Sequence, residues 1–169
     1  MTSFNLRNVK LRSGEQFRDV VEVQLEPLAL GGSEYEPVPA QVPAELTISK
    51  ATTGSVYQLS FRARLHGPCF RCLRDTPVDE SVDAREYHSN DPGADEELRS
   101  PYVADDTLDL SAWARDALAL GLPDKILHAP DCAGLCPVCG KDLNDEPHTH
   151  DEVATDPRWA ALAKLRGRL

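Results

Sequence analysis

Long apolar runs are missing from this 169-residue chain. The longest stretch without a charged side chain, residues 51–61, covers 11 positions, and a membrane helix needs about 20. The opening MTSFNLRNVKLR has no apolar run followed by small residues, so it does not read as a secretory signal. The two absences predict a cytoplasmic protein with no membrane contact. An even cysteine count is also lacking. Five cysteines in a reducing compartment do not make a disulfide framework, which leaves metal or thiol chemistry. There is no His-Glu-x-x-His, no phosphate loop and no Gly-x-Ser-x-Gly, so no catalytic residue is nominated and a non-enzymatic protein is expected.

What is present is an ordinary globular composition, 41% hydrophobic and 27% charged. At 18.6 kDa the chain suffices for one well-buried core and is too short for several independent domains. The net charge of −10 is unevenly spread. Residues 1–74 hold 9 basic and 7 acidic side chains, residues 75–109 hold 2 and 12, and residues 110–169 hold 7 and 9. One segment therefore carries the whole imbalance. A field of that sign repels phosphates and argues against broad electrostatic binding of nucleic acid. The segment reads either as a solvated loop or as a docking surface for a basic partner. Any direct RNA contact falls to local patches, such as Arg7, Lys10, Arg12 and Arg18, or Lys164, Arg166 and Arg168.

Residues 1–87 read as a β-rich core. Apolar and polar residues alternate in Val21-Glu22-Val23-Gln24-Leu25-Glu26 and in Ala44-Glu45-Leu46-Thr47-Ile48-Ser49, the pattern of half-buried strands. The cleanest case sets Tyr57, Leu59, Phe61, Ala63 and Leu65 on one face, with Thr52-Thr53-Gly54 before it as a hairpin turn. A weaker strand is expected over residues 78–87. Residues 88–107 form an acidic loop. In residues 108–123, Leu110, Trp113, Ala114, Ala117 and Leu118 share one face of an amphipathic helix that Gly121 and Pro123 stop. Residues 124–155 make a Cys/His segment, and residues 156–169 a C-terminal helix capped by Asp156. The expected class is α+β: one domain built on an antiparallel sheet or partly open barrel, with one or two packed helices and a C-terminal zinc-knuckle segment.

The cysteines carry the strongest signal. Cys69-Phe70-Arg71-Cys72 follows the best strand, and Cys136-Pro137-Val138-Cys139-Gly140 lies in a Gly- and Pro-rich stretch. Two thiolates spaced by two residues can hold one tetrahedral ion from a tight turn, and a glycine after the second lets backbone amides approach the sulfur. Cys132, His128, His148 and His150 bring the donors to eight. Eight divides into two four-ligand zinc sites. Sequence order puts Cys69, Cys72, His128 and Cys132 in one, with Cys136, Cys139, His148 and His150 in the other. The competing arrangement is a single ion held by four cysteines, Cys69, Cys72, Cys136 and Cys139, with Cys132 free and the histidines solvated. His66 and His88 have no partner spacing. Five thiolates with two zinc ions would leave the net charge at about −11, so metal creates no basic surface. Two enzyme readings fail on context. Pro68-Cys69-x-x-Cys72 has no upstream His-x-Glu, as a zinc deaminase requires, and Leu73-Arg74-Asp75-Thr76-Pro77 leads toward a turn rather than the helix of a thioredoxin-like pair.

The order of these features resembles the YceD family of large-subunit ribosomal RNA accumulation proteins. The resemblance rests on the early strands, Cys69-Phe70-Arg71-Cys72-Leu73, the acidic segment, Asp109-Leu110, Leu122-Pro123, the run from Asp131 and Cys132 through Gly134-Leu135-Cys136-Pro137-Val138-Cys139-Gly140, and Asp156-Pro157-Arg158. Many family members carry cysteine where this chain has His128, His148 and His150, and a histidine can replace a thiolate in tetrahedral zinc. The resemblance implies a non-enzymatic role in accumulation of large-subunit (23S) ribosomal RNA and ribosome assembly. Ribosome assembly intermediates are the implied partners. From the charge, a basic ribosomal protein is expected to dock on the acidic segment. The competing readings are a zinc-ribbon RNA-binding module and an unrecognised zinc enzyme.

Overall fold

The computed structural model describes residues 2–150. Strand β1 (Ser3–Asn5) is followed by a 3-10 turn and β2 (Gln16–Gln24), β3 (Leu28–Leu30), β4 (Ser33–Pro37), β5 (Gln41–Lys50), β6 (Gly54–Pro68) and β7 (Asp75–Ser89). After a second 3-10 turn come β8 (Val103–Ala104), β9 (Thr107–Asp109) and helix α1 (Leu110–Gly121). All pairings are antiparallel, and α1 is the one α-helix among the described residues. The class is α+β. The expected C-terminal helix at residues 156–169 lies outside the described residues.

The large sheet runs β2-β5-β6-β4-β3, with β7 on the far edge of β6. Its ladder follows from period-two patterning: Tyr57, Leu59, Phe61, Ala63 and Leu65 of β6 are all buried, and so are Ala44, Leu46 and Ile48 of β5. Leu59, fully buried, stabilises the sheet by about 2 kcal/mol through burial alone, and Leu59→Ala would cost about 3 kcal/mol with the cavity it leaves. The strand expected over residues 78–87 runs the full length of β6, pairing from Pro68↔Asp75 to Gly54↔Ser89. Its sequence is acidic because its outward residues face water, which hides the alternation.

Helix α1 begins at Asp109, whose carboxylate accepts the amide of Ala112 at 3.0 Å, a cap worth about 1 kcal/mol. Leu110, Trp113, Ala114 and Leu118 face the core, and the helix packs on β7, β2 and β1.

Two features were not evident in the sequence pattern. The β3–β4 hairpin turns on Gly31 and Gly32, both at positive φ, the requirement of a two-residue loop. A small sheet, β1-β9-β8, also occupies part of the segment read as acidic loop. There Tyr102 stacks on Trp113 at 6.2 Å and its hydroxyl donates to Asp116.

Candidate metal centres

Strand β6 delivers Cys69 to the end of the sheet. Its last turn is clamped by Tyr35, whose ring lies where a side chain on Gly67 would be and whose hydroxyl donates to the carbonyl of Pro68 at 2.8 Å. The chain then makes a tight turn into β7. The amide of Cys69 donates to the carbonyl of Arg74 at 2.8 Å, and the amide of Leu73 to that of Cys69 at 3.0 Å. The second cysteine pair repeats this turn bond for bond. Cys136 donates to the carbonyl of Lys141 and Gly140 to that of Cys136, both at 2.8 Å. Leu73 and Gly140 occupy the same position and share a left-handed backbone, with φ of 61° and 74°. Both CxxC pairs are therefore the same knuckle.

The knuckle explains the electrostatics. Burial works against the Cys69 thiolate, but amides of Cys72, His128 and Arg71 and the His128 ring point at the sulfur and hold its pKa down at about 5. At Cys136 the equivalent amides, Cys139 and Val138, bring the thiol to about 6. Burial pushes Cys72 up to about 11. One thiol of the buried pair is thus prepared as an anion, while its neighbour ionises when a cation arrives.

The remaining donors come from the segment after α1. His128 Nδ1 lies 3.2 Å from Cys72 Sγ, and Cys132 Sγ lies 3.8 Å from Cys69 Sγ. Cys69, Cys72, His128 and Cys132 form one group, and Cys136, Cys139, His148 and His150 another, the ligand atoms of each group lying within 4.8 Å of one another. The Cys69 to Cys132 separation is far too long for a disulfide, which needs about 2.05 Å. It equals the edge of a tetrahedron with zinc–sulfur bonds of about 2.3 Å, about 3.8 Å. In the second group, Cys139 Sγ is 3.1 Å from His148 Nε2 while His148 Nδ1 bonds the carbonyl of Glu146 at 2.7 Å. That bond fixes the tautomer and turns the other nitrogen toward the thiol, the usual support of a metal-ligating histidine; the same bond, with Cys136 nearby, raises the His148 pKa. His150 packs edge-on against His148 at 4.9 Å between ring centres. The donor sets, three sulfurs with one imidazole and two sulfurs with two, suit zinc. With four protein ligands each, the sites would be closed to substrate.

The single four-cysteine arrangement is not assembled, since its two cysteine pairs fall in separate groups. His66 pairs with Asp75 at 3.3 Å on the surface, and His88 lies at the other end of β6 and β7. The structure adds supports that spacing does not reveal. Arg71 donates to the carbonyl of Cys132 at 2.7 Å and its own carbonyl accepts the amide of Leu135 at 3.2 Å. Asn144 accepts the amide of Ala133 at 2.8 Å and directs its NH2 at the Cys132 sulfur, 3.7 Å away. Arg74 reaches Asp142 and Asp145 at 2.9 and 3.0 Å. Each is a polar residue of ordinary composition, identified only once the two segments meet.

Comparison with known proteins gives a consistent picture. A family model described as "Large ribosomal RNA subunit accumulation protein YceD" matches residues 57–166. Uncharacterised proteins of Mycobacterium bovis and Mycobacterium tuberculosis are each 34% identical over 128 residues, covering 73% of this chain and 61% of their own length. One from Mycobacterium leprae is 42% identical over 65 residues, covering 38% of this chain and 29% of its own. The chain thus spans less than two thirds of the length of these curated relatives. No solved structure matches. Among the described residues no helix is long and apolar enough to cross a membrane.

Proposed function

The chain belongs to the YceD family, and from that premise we propose that it acts as a non-catalytic, zinc-clasped factor in the accumulation of large-subunit (23S) ribosomal RNA, working on assembly intermediates in the cytoplasm. Family membership supports a role in large ribosomal RNA subunit accumulation. The observation that carries the structural part is the pair of equivalent knuckles, each meeting enough donors to close a tetrahedral site. A closed site offers no open position for water or substrate, so zinc would serve as a clasp. Cys69, Cys72, His128 and Cys132 would hold one ion, and Cys136, Cys139, His148 and His150 the other. The bound metal supplies a cross-link and charge neutralisation; the amides of the knuckles and the Asn144 and Arg71 side chains orient the ligands. Five thiolates need a reducing compartment, which supports the cytoplasmic assignment.

A basic ribosomal protein is the partner the charge distribution favours. Asp95, Glu96 and Glu97 stand exposed on the 3-10 turn after β7, within the segment that holds 12 acidic side chains and 2 basic ones. Deleting residues 89–106 would remove Tyr102 and β8 from the core, so charge neutralisation is the cleaner test. Asp95→Asn, Glu96→Gln and Glu97→Gln together should weaken co-sedimentation with large-subunit precursors, most visibly at low salt. Unchanged co-sedimentation would remove this docking surface, and its complete absence in the wild type would remove the assembly role. Salt-dependent binding of the purified protein to ribosomal RNA fragments would instead favour a zinc-ribbon RNA binder.

A further inference from the structure

Strand β7 is paired on one side only. β6 runs along one edge for all 15 residues, and among the described residues no backbone amide or carbonyl of β7 bonds to the backbone of any other element. Alternate backbone groups therefore point away from β6 along a free edge, the template on which an extended peptide adds as a further strand. A groove of about 400 Å³ follows this edge between β7 and α1. Every residue from 80 to 86 lines it, whichever face of the sheet its side chain takes, so the groove opens along the backbone edge itself. The opposite wall is one face of α1, with Trp113, Ala117 and Leu120. Leu120 is 88% exposed, an apolar side chain left in solvent.

Charge selects what can fill the groove. β7 holds five carboxylates against one guanidinium, that of Arg85. Asp79 is paired with Arg64 and Asp75 with His66, and Asp83 accepts from Gln58 and Ser60 on the outer face, where Arg85 stands exposed. Glu80 and Glu86, on the face of Val82, are half-buried and form no ion pair among the described residues. A Glu80 carboxylate oxygen lies 3.0 Å from where a side chain on Gly121 would begin, at the end of α1, whose last turn holds no basic residue. A helix C-terminus carries partial negative charge, so two like charges meet there with no cation between them. The same carboxylates repel the β7 edge of a second copy. β2, the edge strand on the other side, is nearly balanced, with Arg18 against Asp19 and Glu22.

We propose that the free edge of β7 binds an extended Lys- or Arg-rich segment of a partner protein. The segment adds a strand to the sheet, setting two bases six positions apart opposite Glu80 and Glu86, with small apolar side chains between them against Ala117 and Leu120. Charge complementarity supplies the sign and the unpaired backbone supplies the extended conformation. This deepens the proposed docking of a basic protein on the acidic segment, on which it rests, by giving that partner a backbone contact beyond the charge of the 3-10 turn.

The test is titration of the full chain with the capped peptide Lys-Thr-Val-Thr-Val-Thr-Lys, read by calorimetry and by backbone amide exchange. Its lysines lie six positions apart, and it reads alike from either end, so strand direction does not matter. Saturable binding below about 1 mM is expected, at least about tenfold tighter than for the same peptide with glutamate at both ends, and weaker at high salt. Glu80→Gln and Glu86→Gln should each weaken binding about threefold with metal content unchanged. Amides within residues 80–86 that face away from β6 should exchange freely in the chain alone and become protected with peptide. Four results would each overturn the assignment: no saturable binding, equal binding of the glutamate peptide, indifference to both substitutions, or protection along residues 16–24 instead. Outward amides already protected before peptide is added would also overturn it, marking an edge filled by this chain or a second copy. With only chain and peptide present, failure here leaves the assembly role to co-sedimentation, and loss of co-sedimentation leaves this result unchanged.

Discussion

The knuckles at Cys69 and Cys136 share a turn, its two backbone hydrogen bonds and the amide cradle around the first sulfur, yet their surroundings differ. Cys69, Cys72 and Cys132 are buried together with Leu127 and Leu135 packed against them, whereas Cys139 and His150 stand in solvent. The first group joins positions 63 residues apart in the chain; the second closes within one short loop. The same local chemistry therefore has two consequences. The buried group cross-links the segment after α1 to the end of the large sheet, while the exposed group shapes only its own loop.

The largest expected effect follows from that difference. Cys69→Ser or Cys132→Ser should release one metal ion per chain and destabilise the fold by about 4 kcal/mol, the chain-entropy value for a loop of this length, read as a lower melting temperature of the whole domain. Cys139→Ser should also release one ion, but the main melting transition should move far less; equal shifts for the two variants would erase the comparison. Acid sharpens it further. Both first cysteines are held below the ordinary thiol range, so each thiolate contributes at higher pH and is lost as pH falls through its folded value, about 6 for Cys136 and about 5 for Cys69. Metal should leave the group of Cys139 and His150 first on acid titration, because its ligands stand in solvent whereas Cys69, Cys72 and Cys132 are buried and protonate only when the fold opens locally, and simultaneous release would contradict this order. Asn144→Ala should cost about 1 kcal/mol and weaken metal retention at the buried group alone, seen by chelator competition. The smallest effect is predicted at Leu73, 63% exposed in a conformation that suits glycine. Leu73→Gly relieves about 1–2 kcal/mol of strain and returns about 0.5–1 kcal/mol in chain entropy, so a slight rise in chemical-denaturation stability is expected.

Much of this architecture was legible in the sequence. Period-two patterning identified β5 and β6 because each has one wet face, and the 3.6-residue repeat with Gly121 and Pro123 marked α1 and its end. Counting donors in chain order grouped the eight side chains as the fold groups them, because each CxxC is a local turn and the remaining ligands follow in order. The missing parts depend on distant contacts. β8 and β9 are too short to show a pattern and exist only because β1 and Trp113 receive them. The full length of β7 was hidden by its acidic outward face. Asn144 and Arg71 are ordinary surface residue types until the segment containing Cys132 returns to β6.

Metal content measures the central claim most directly. Elemental analysis of the purified full chain should give two zinc ions per chain, one after Cys69→Ser and one after Cys139→Ser, with chelator lowering the melting temperature of the wild type. A metal-free protein that melts cooperatively and ignores chelator would contradict it.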